Sequence, residues 1–298
     1  MQANPDISII GPGKVGTAIG VRAARAGWRV VAVGGGRPGR AQAAAEAIGR
    51  GARACSPPEA ARAGGLVLLT VPDGAIAGVC DELAAAEAFG GEAVVAHCCG
   101  AIGSEVLQSA RERCGCSIGS MHPLQTFPTA EAAMDRLAGT WCFCEGDDRA
   151  AGVLGRLAEA VGARPARIRA EDKPLYHAAA VTACNYVVTL LDAAAAMAES
   201  AGISRADWLA AAEPIVRATV DNVSRAGPEQ ALTGPVARGD AETVGRHVEA
   251  LGGAGAGLRE LYATVGQGTV QLALRKGTID PRQAGVLSEI LNGLFRRE

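Results

Sequence analysis

Residues 6–36 read DISIIGPGKVGTAIGVRAARAGWRVVAVGGG, and the spacing of their glycines decides the fold. The apolar run Ile7 to Ile10 predicts a strand. It enters Gly11-x-Gly13-x-x-Gly16, after which small and apolar residues predict a helix to about Ala26. Gly27 ends that helix, and Arg29 to Val33 predicts a second strand. Strand, tight turn, helix and strand in this order are the setting in which such glycines bind a dinucleotide. Gly11 makes the turn, Gly13 lets a pyrophosphate approach the backbone, and Gly16 lets the helix pack on the strand. The phosphates then meet the helix N-terminus at Lys14 and Val15, where free N–H groups and the dipole favour anions.

The end of the second strand selects between dinucleotides. A site for NAD places an acid there to bind the ribose 2′-OH. Here the chain reads VGGGRPGR (33–40), with no acid and with Arg37 and Arg40. A guanidinium binds a 2′-phosphate by a charge-assisted fork where a carboxylate would repel it, so NADP(H) is expected over NAD(H). The alternative is that both arginines are merely solvated.

Outward from this stretch, strands are predicted at Leu66–Thr70, Ala93–His97 and Ser117–Met121, with shorter candidates near Ala52, Trp141 and Ala166. Helical stretches between most of them predict a largely parallel, doubly wound sheet, an α/β domain of Rossmann type over residues 1–169. Ligands gather at the carboxyl ends of such strands. Three segments are expected there: VPDG (71–74), HCCG (97–100) and HPLQTF (122–127), with Pro72 and Pro123 stopping their strands. Val71, Pro72 and His97 join the expected cofactor set. After about Arg169 the strand signals fade. Helices are predicted at Lys173–Ala201, Arg205–Arg225, Ala241–Leu251, Leu258–Lys276 and Pro281–Leu294, an all-helical domain over 170–298. Asp172 is placed to cap the first of them, with Pro174 in its first turn.

Composition narrows the class. The 298 residues are 49% hydrophobic and 20% charged, with 29 basic and 31 acidic side chains. Nothing in that balance suggests a nucleic-acid or anionic-membrane partner. MQANPDISII lacks the basic and apolar regions of a signal peptide, and no apolar run approaches about 18 residues, so no membrane span is expected. Nine cysteines, an odd number, are expected to be reduced thiols in the cytoplasm, most of them small buried hydrophobes. Their spacing matches no zinc motif, and no metal site is expected.

Chemistry is concentrated where the helical half begins, in EDKPLYHAAAVTACNYVV (171–188). Lys173 and His177 are four apart and share a face, with Asn185 on its flank. Either Lys173 or His177 could handle a proton; the bland reading leaves Lys173 exposed and His177 satisfied in a core or interface. A second loop, LTGPVARGD (232–240), interrupts the helices with two glycines, a proline, an arginine and an aspartate. Asp240 precedes a predicted helix and would cap it.

With these residues in view, the chain resembles the superfamily of 6-phosphogluconate and beta-hydroxyacid dehydrogenases, ketopantoate reductases and pyrroline-5-carboxylate reductases. HPLQTF, YHAAAVTACNY (176–186) and LTGPVARGD look like one branch of it: Rossmann-like oxidoreductases, deazaflavin- or NADP-dependent, with a C-terminal domain of unknown function. The superfamily carries Lys-x-x-x-Asn on the helix after the sheet. Lys173 corresponds to that lysine, and His177 stands where the motif has Asn. HCCG more usually reads His-x-Ser-Gly, so Cys99 replaces a hydroxyl. The resemblance implies an NADPH-dependent reductase of a small carboxylated ketone or imine, ketopantoate first and a pyrroline-type imine second. The contrasting expectation is a non-catalytic NADP(H)-binding redox regulator. It further implies a homodimer through the helical domain. His122, Lys173, His177 and Asn185 would serve catalysis, with Lys173 or His177 as acid. Arg238 would clamp the substrate carboxylate, with Thr233 and Gly234 adding contacts. A deazaflavin coenzyme is the other cofactor the branch admits.

Overall fold

The computed structural model describes residues 3–295, so the outermost ends of the two predicted domains, 1–2 and 296–298, lie outside it. The chain divides into two compact units between Ala183 and Cys184.

The first unit is an eight-stranded sheet: β1 (Ile7–Ile10), β2 (Val30–Gly34), β3 (Arg53–Cys55), β4 (Leu66–Leu69), β5 (Val94–His97), β6 (Ser117–Pro123), β7 (Trp141–Gly146) and β8 (Arg164–Arg167). The order is β3-β2-β1-β4-β5-β6-β7-β8, and every neighbouring pair is parallel except β6 with β7. Between the strands run α1 (Lys14–Arg25), α2 (Pro38–Ile48), α3 (Pro57–Ala63), α4 (Ile76–Ala85), α5 (Gln108–Cys114), α6 (Ala130–Arg136) and α7 (Asp148–Ala160). The central strands read as unbroken aliphatic runs because helices cover both faces of the sheet. Ile7, Ile9, Leu66 and Leu68 pack with Ala18, Leu154 and Leu157 on one face. Ile10, Val67 and Leu69 pack with Ala60, Leu83 and Leu107 on the other.

His122 and Pro123 were expected in a loop above the sheet, but both belong to β6. The reversed strand β7 supplies the reason, since it pairs His122 with Phe143 and Pro123 with Cys142. A second correction concerns Asp172. Arg169 takes both oxygens of its carboxylate, at 2.7 and 3.0 Å, and the chain enters α8 (Lys173–Ser200) through a 3-10 turn over Ala170–Asp172 instead of through an Asp cap.

Helix α8 crosses the division of the chain, which falls at 183/184 rather than at the expected 169/170. Lys173 is the physical reason: its side chain is anchored among residues of the sheet, so the first turns of α8 belong to the sheet unit. The second unit continues with α9 (Arg205–Ala231), α10 (Ala241–Ala250), α11 (Ala256–Lys276) and α12 (Pro281–Asn292). Gly227, at φ 79°, breaks α9 just past the predicted stop at Arg225. Val244, Val270, Ala273, Leu287 and Leu291 form the core of this unit, while α9 buries none of its residues.

Helix α8 is more apolar along its length than the sequence reading noted: the stretch Ala170–Ser200 is long and apolar enough to cross a membrane by length and composition alone, with a mean hydropathy of 1.4 over 18 residues. Only 11% of that window is buried.

Candidate functional site

The turn after β1 is built to leave backbone open. Gly11 has φ 85°, and a Cβ on it would stand 2.5 Å from Val71 Cγ1, so glycine is required there. Thr70, just past β4, donates its hydroxyl to the Gly11 carbonyl at 2.7 Å and pins the turn to the neighbouring strand. A Cβ on Gly16 would run into the Thr70 hydroxyl and meet Ile9 Cγ2 at 3.0 Å, so this glycine sets how closely α1 packs. Around Gly13 a Cβ would meet nothing closer than 4.0 Å. Helix α1 has no side-chain cap and no acidic residue in its first turn. Its N–H groups are therefore available to an anion, and a dinucleotide's phosphates fit the site. Lys14 stands exposed in the same turn, and half-buried Val15 and Val71 with exposed Pro72 border it. Arg37 and Arg40 are exposed beyond β2, and neither side chain has a hydrogen-bond or ion-pair partner among the described residues.

At the ends of β5 and β6 the arrangement is closed and polar. Lys173 is 1% exposed. Its ammonium donates to the Cys99 carbonyl at 2.8 Å and to Ser120 Oγ at 2.5 Å. Ser120 in turn donates to Glu145 Oε1 at 2.7 Å, and Ser104 donates to Oε2 at 2.8 Å. Lys173 Nζ and Glu145 Oε1 are 3.8 Å apart. Burial pulls the lysine below its ordinary value, with Glu145 pulling it back. The ammonium expected to serve catalysis is thus occupied by a carbonyl and a hydroxyl, with a carboxylate close by. Lys173 fixes the start of α8 to the sheet.

His97 is likewise occupied. It is fully buried, its Nδ1 accepts from the Cys99 N–H at 3.1 Å, and its Nε2 lies 3.1 Å from the Gly103 carbonyl. Both nitrogens are satisfied when Nε2 carries the proton, and burial together with the Lys173 charge takes the ring down to about 4. The side chain shapes the HCCG loop and offers a cofactor nothing. Cys99 is also internal, with Sγ accepting from Ala101 N–H.

Two imidazoles remain open at this edge. His122, on β6, and His177, on the second turn of α8, are both half-buried, with ring centroids 6.1 Å apart. Gly100 lies against both: a Cβ there would stand 2.7 Å from His122 Cε1 and 2.8 Å from His177 Cδ2. Tyr176 Oη lies 2.7 Å from His122 Nδ1. Neither His122 Nε2 nor either nitrogen of His177 has a partner among the described residues. Burial and the charges of Lys173 and His177 take His122 down to about 4. Thr70, Gly100, Glu145 and Tyr176 escaped the sequence reading. An acid inside the apolar run WCFCEG was the one available signal for Glu145.

Asn185 is exposed and belongs to the second unit, so it is not among the residues gathered here. In that unit, Asp240 caps α10, accepting from the Thr243 N–H at 3.0 Å and the Thr243 hydroxyl at 2.8 Å. Thr233 lines a largely apolar hollow of about 410 Å³ with Leu190, Met197, Val236, Tyr262 and Val265. Gly234 and Arg238 lie outside that lining. Arg238 is exposed in a short 3-10 turn between Gly234 and Gly239, both at positive φ.

Residues 1–123 match the model of a Rossmann-like domain, and residues 140–269 match that of a domain of unknown function, DUF2520. No curated protein matches the chain. Among solved structures, one from Bacteroides fragilis assigned as an NADP oxidoreductase is 23% identical, with a TM-score of 0.70 over 90% of this chain and 98% of that one. A protein from Thermotoga maritima is 25% identical, with a TM-score of 0.64 over 97% and 100%. A pyrroline-5-carboxylate reductase from Coxiella burnetii is 19% identical, with a TM-score of 0.57 over 92% and 99%. All three share the fold along nearly the whole chain.

Proposed function

From a chain whose first part matches a Rossmann-like domain and whose later part matches DUF2520, we propose an NADPH-dependent reductase of a small C=O or C=N substrate. The observation that carries the reading is the pair of open imidazoles, His122 and His177, facing one another over Gly100 at the edge of a sheet whose first turn leaves Gly13 open. When bound, the cofactor supplies a hydride. The N–H groups at the start of α1 hold its pyrophosphate, and Arg37 with Arg40 holds the 2′-phosphate.

With Lys173 sealed, the proton passes from His177. The carbonyl or imine carbon gains the hydride, its oxygen or nitrogen gains the proton of the His177 imidazolium, and solvent restores that proton. Arg238 clamps a substrate carboxylate. Ketopantoate and a pyrroline carboxylate are the two substrates to assay first, and the name of the Coxiella relative adds weight to the second.

The test is NADPH oxidation by the purified protein with each substrate, against a no-substrate control. Turnover with either supports the reading. NADPH binding without turnover of any carbonyl or imine would sink it in favour of a redox-sensing binder, and tight deazaflavin binding with no NADPH affinity would replace the cofactor. Arg37→Ala is expected to raise KM for NADPH by about tenfold to a hundredfold, the worth of one charge-assisted contact, while leaving KM for NADH unchanged.

A further inference from the structure

Resting on that reading, we propose that Tyr176 is a positioning residue for His122: its hydroxyl holds Nδ1, so that the ring presents an Nε2–H to the substrate oxygen or nitrogen. His122 thereby polarises the reacting bond as a neutral hydrogen-bond donor and surrenders no proton, while His177 delivers the one that is transferred.

The Tyr176–His122 contact is short and its partners are held in place. The two atoms are 2.7 Å apart, and the rings meet edge-on at 5.6 Å and 82°. Phe143 packs 4.5 Å from the Tyr176 ring and holds it in place. Lys173, three residues earlier, anchors the same turn of α8 to Cys99 and Ser120. The Tyr176 hydroxyl has no other hydrogen-bond partner among the described residues. Donating to Nδ1 employs its O–H, whereas accepting from Nδ1 would leave that O–H idle. Burial raises the phenol above its ordinary value, so it keeps its proton, and the lowered His122 is neutral, with one ring nitrogen able to accept. Nε2 is then the protonated nitrogen, and it has no hydrogen-bond partner among the described residues, on a ring that lies against Gly100 and 6.1 Å from that of His177. Lys173 and His177 disfavour a charged His122, which leaves the two imidazoles with different tasks.

The experiment is nitrogen NMR of the full chain labelled at histidine, where only four side chains contribute. His122→Gln identifies the His122 signals by their loss. The expected spectrum shows His122 protonated at Nε2 and bare at Nδ1. In Tyr176→Phe the His122 signals move toward an average of both tautomers, while His97, fixed by Cys99 and Gly103, stays put and reports that the variant is folded. With an active substrate, kcat falls about tenfold in Tyr176→Phe, as for loss of a group that orients another, and KM for NADPH is unchanged. In the His122→Gln background the same substitution has no further effect. A wild-type spectrum with Nδ1 protonated, or a His122 tautomer indifferent to Tyr176→Phe, overturns the proposal. Both spectra are read without turnover, so failure of the reductase reading remains a separate result.

Discussion

At the scale of single residues, Lys173 shows how a buried charge is satisfied. Its ammonium is surrounded by one carbonyl, one hydroxyl and one carboxylate, all within the sheet unit. Such a pair adds little net stability compared with apolar residues, yet removing one member strands the other in a dry interior. Lys173→Met is therefore expected to cost about 3–5 kcal/mol in urea unfolding, and Lys173→Met with Glu145→Gln to recover part of it. A catalytic lysine would show the opposite, a stable protein with a lost rate. His97 and His122 make a second prediction. Both are taken from 6.5 to about 4 in the folded chain. Protons then bind the unfolded chain more tightly, so this stability is complete above pH 6.5 and is lost as pH falls from 6.5 through 4. Each histidine contributes on the order of 3 kcal/mol across that interval. Unfolding followed from pH 7 to 4 should show the loss, with a shallower slope in His122→Gln.

At the scale of elements, two contacts decide how helices meet their neighbours. Gly16 brings α1 onto β1 and Thr70. Gly16→Ala is expected to destabilise the fold by about 1–3 kcal/mol, as overpacking does, and to weaken NADPH binding by shifting the helix N-terminus. Asp240 caps α10 through Thr243. Asp240→Ala should cost about 0.5–2 kcal/mol of stability and leave turnover per folded molecule unchanged. A drop in kcat with intact stability would give Asp240 a direct part in the reaction.

For the whole molecule, the question is what covers α8 and α9. Leu175, Tyr186 and Val188 on α8 and Ile215 and Val220 on α9 are all more than half exposed. Apolar surface on this scale marks an interaction site, and the occupant we propose is a second copy of the chain, as the family resemblance implies. Sedimentation should find a dimer, and Ile215→Asp should shift it toward monomer. A wild-type monomer at working concentration would remove this reading and leave the apolar length of α8 to be explained by another partner.

The fingerprint glycines, the aliphatic strands and the five helices of the second half were legible in the sequence, because each follows from local spacing and composition. The predicted stop at Arg225 likewise fell within two residues of the break at Gly227 in α9, and Asp240 was legible as the cap of α10. Contacts between distant segments were not legible. Glu145 and Lys173 are separated by α7, β8 and a 3-10 turn, and His122 and Tyr176 by 54 positions, so each pair meets only in the folded chain. Local pattern determined which elements form. The tertiary structure alone decided which polar side chains are sealed and which stay open, since burial depends on what the rest of the chain brings alongside.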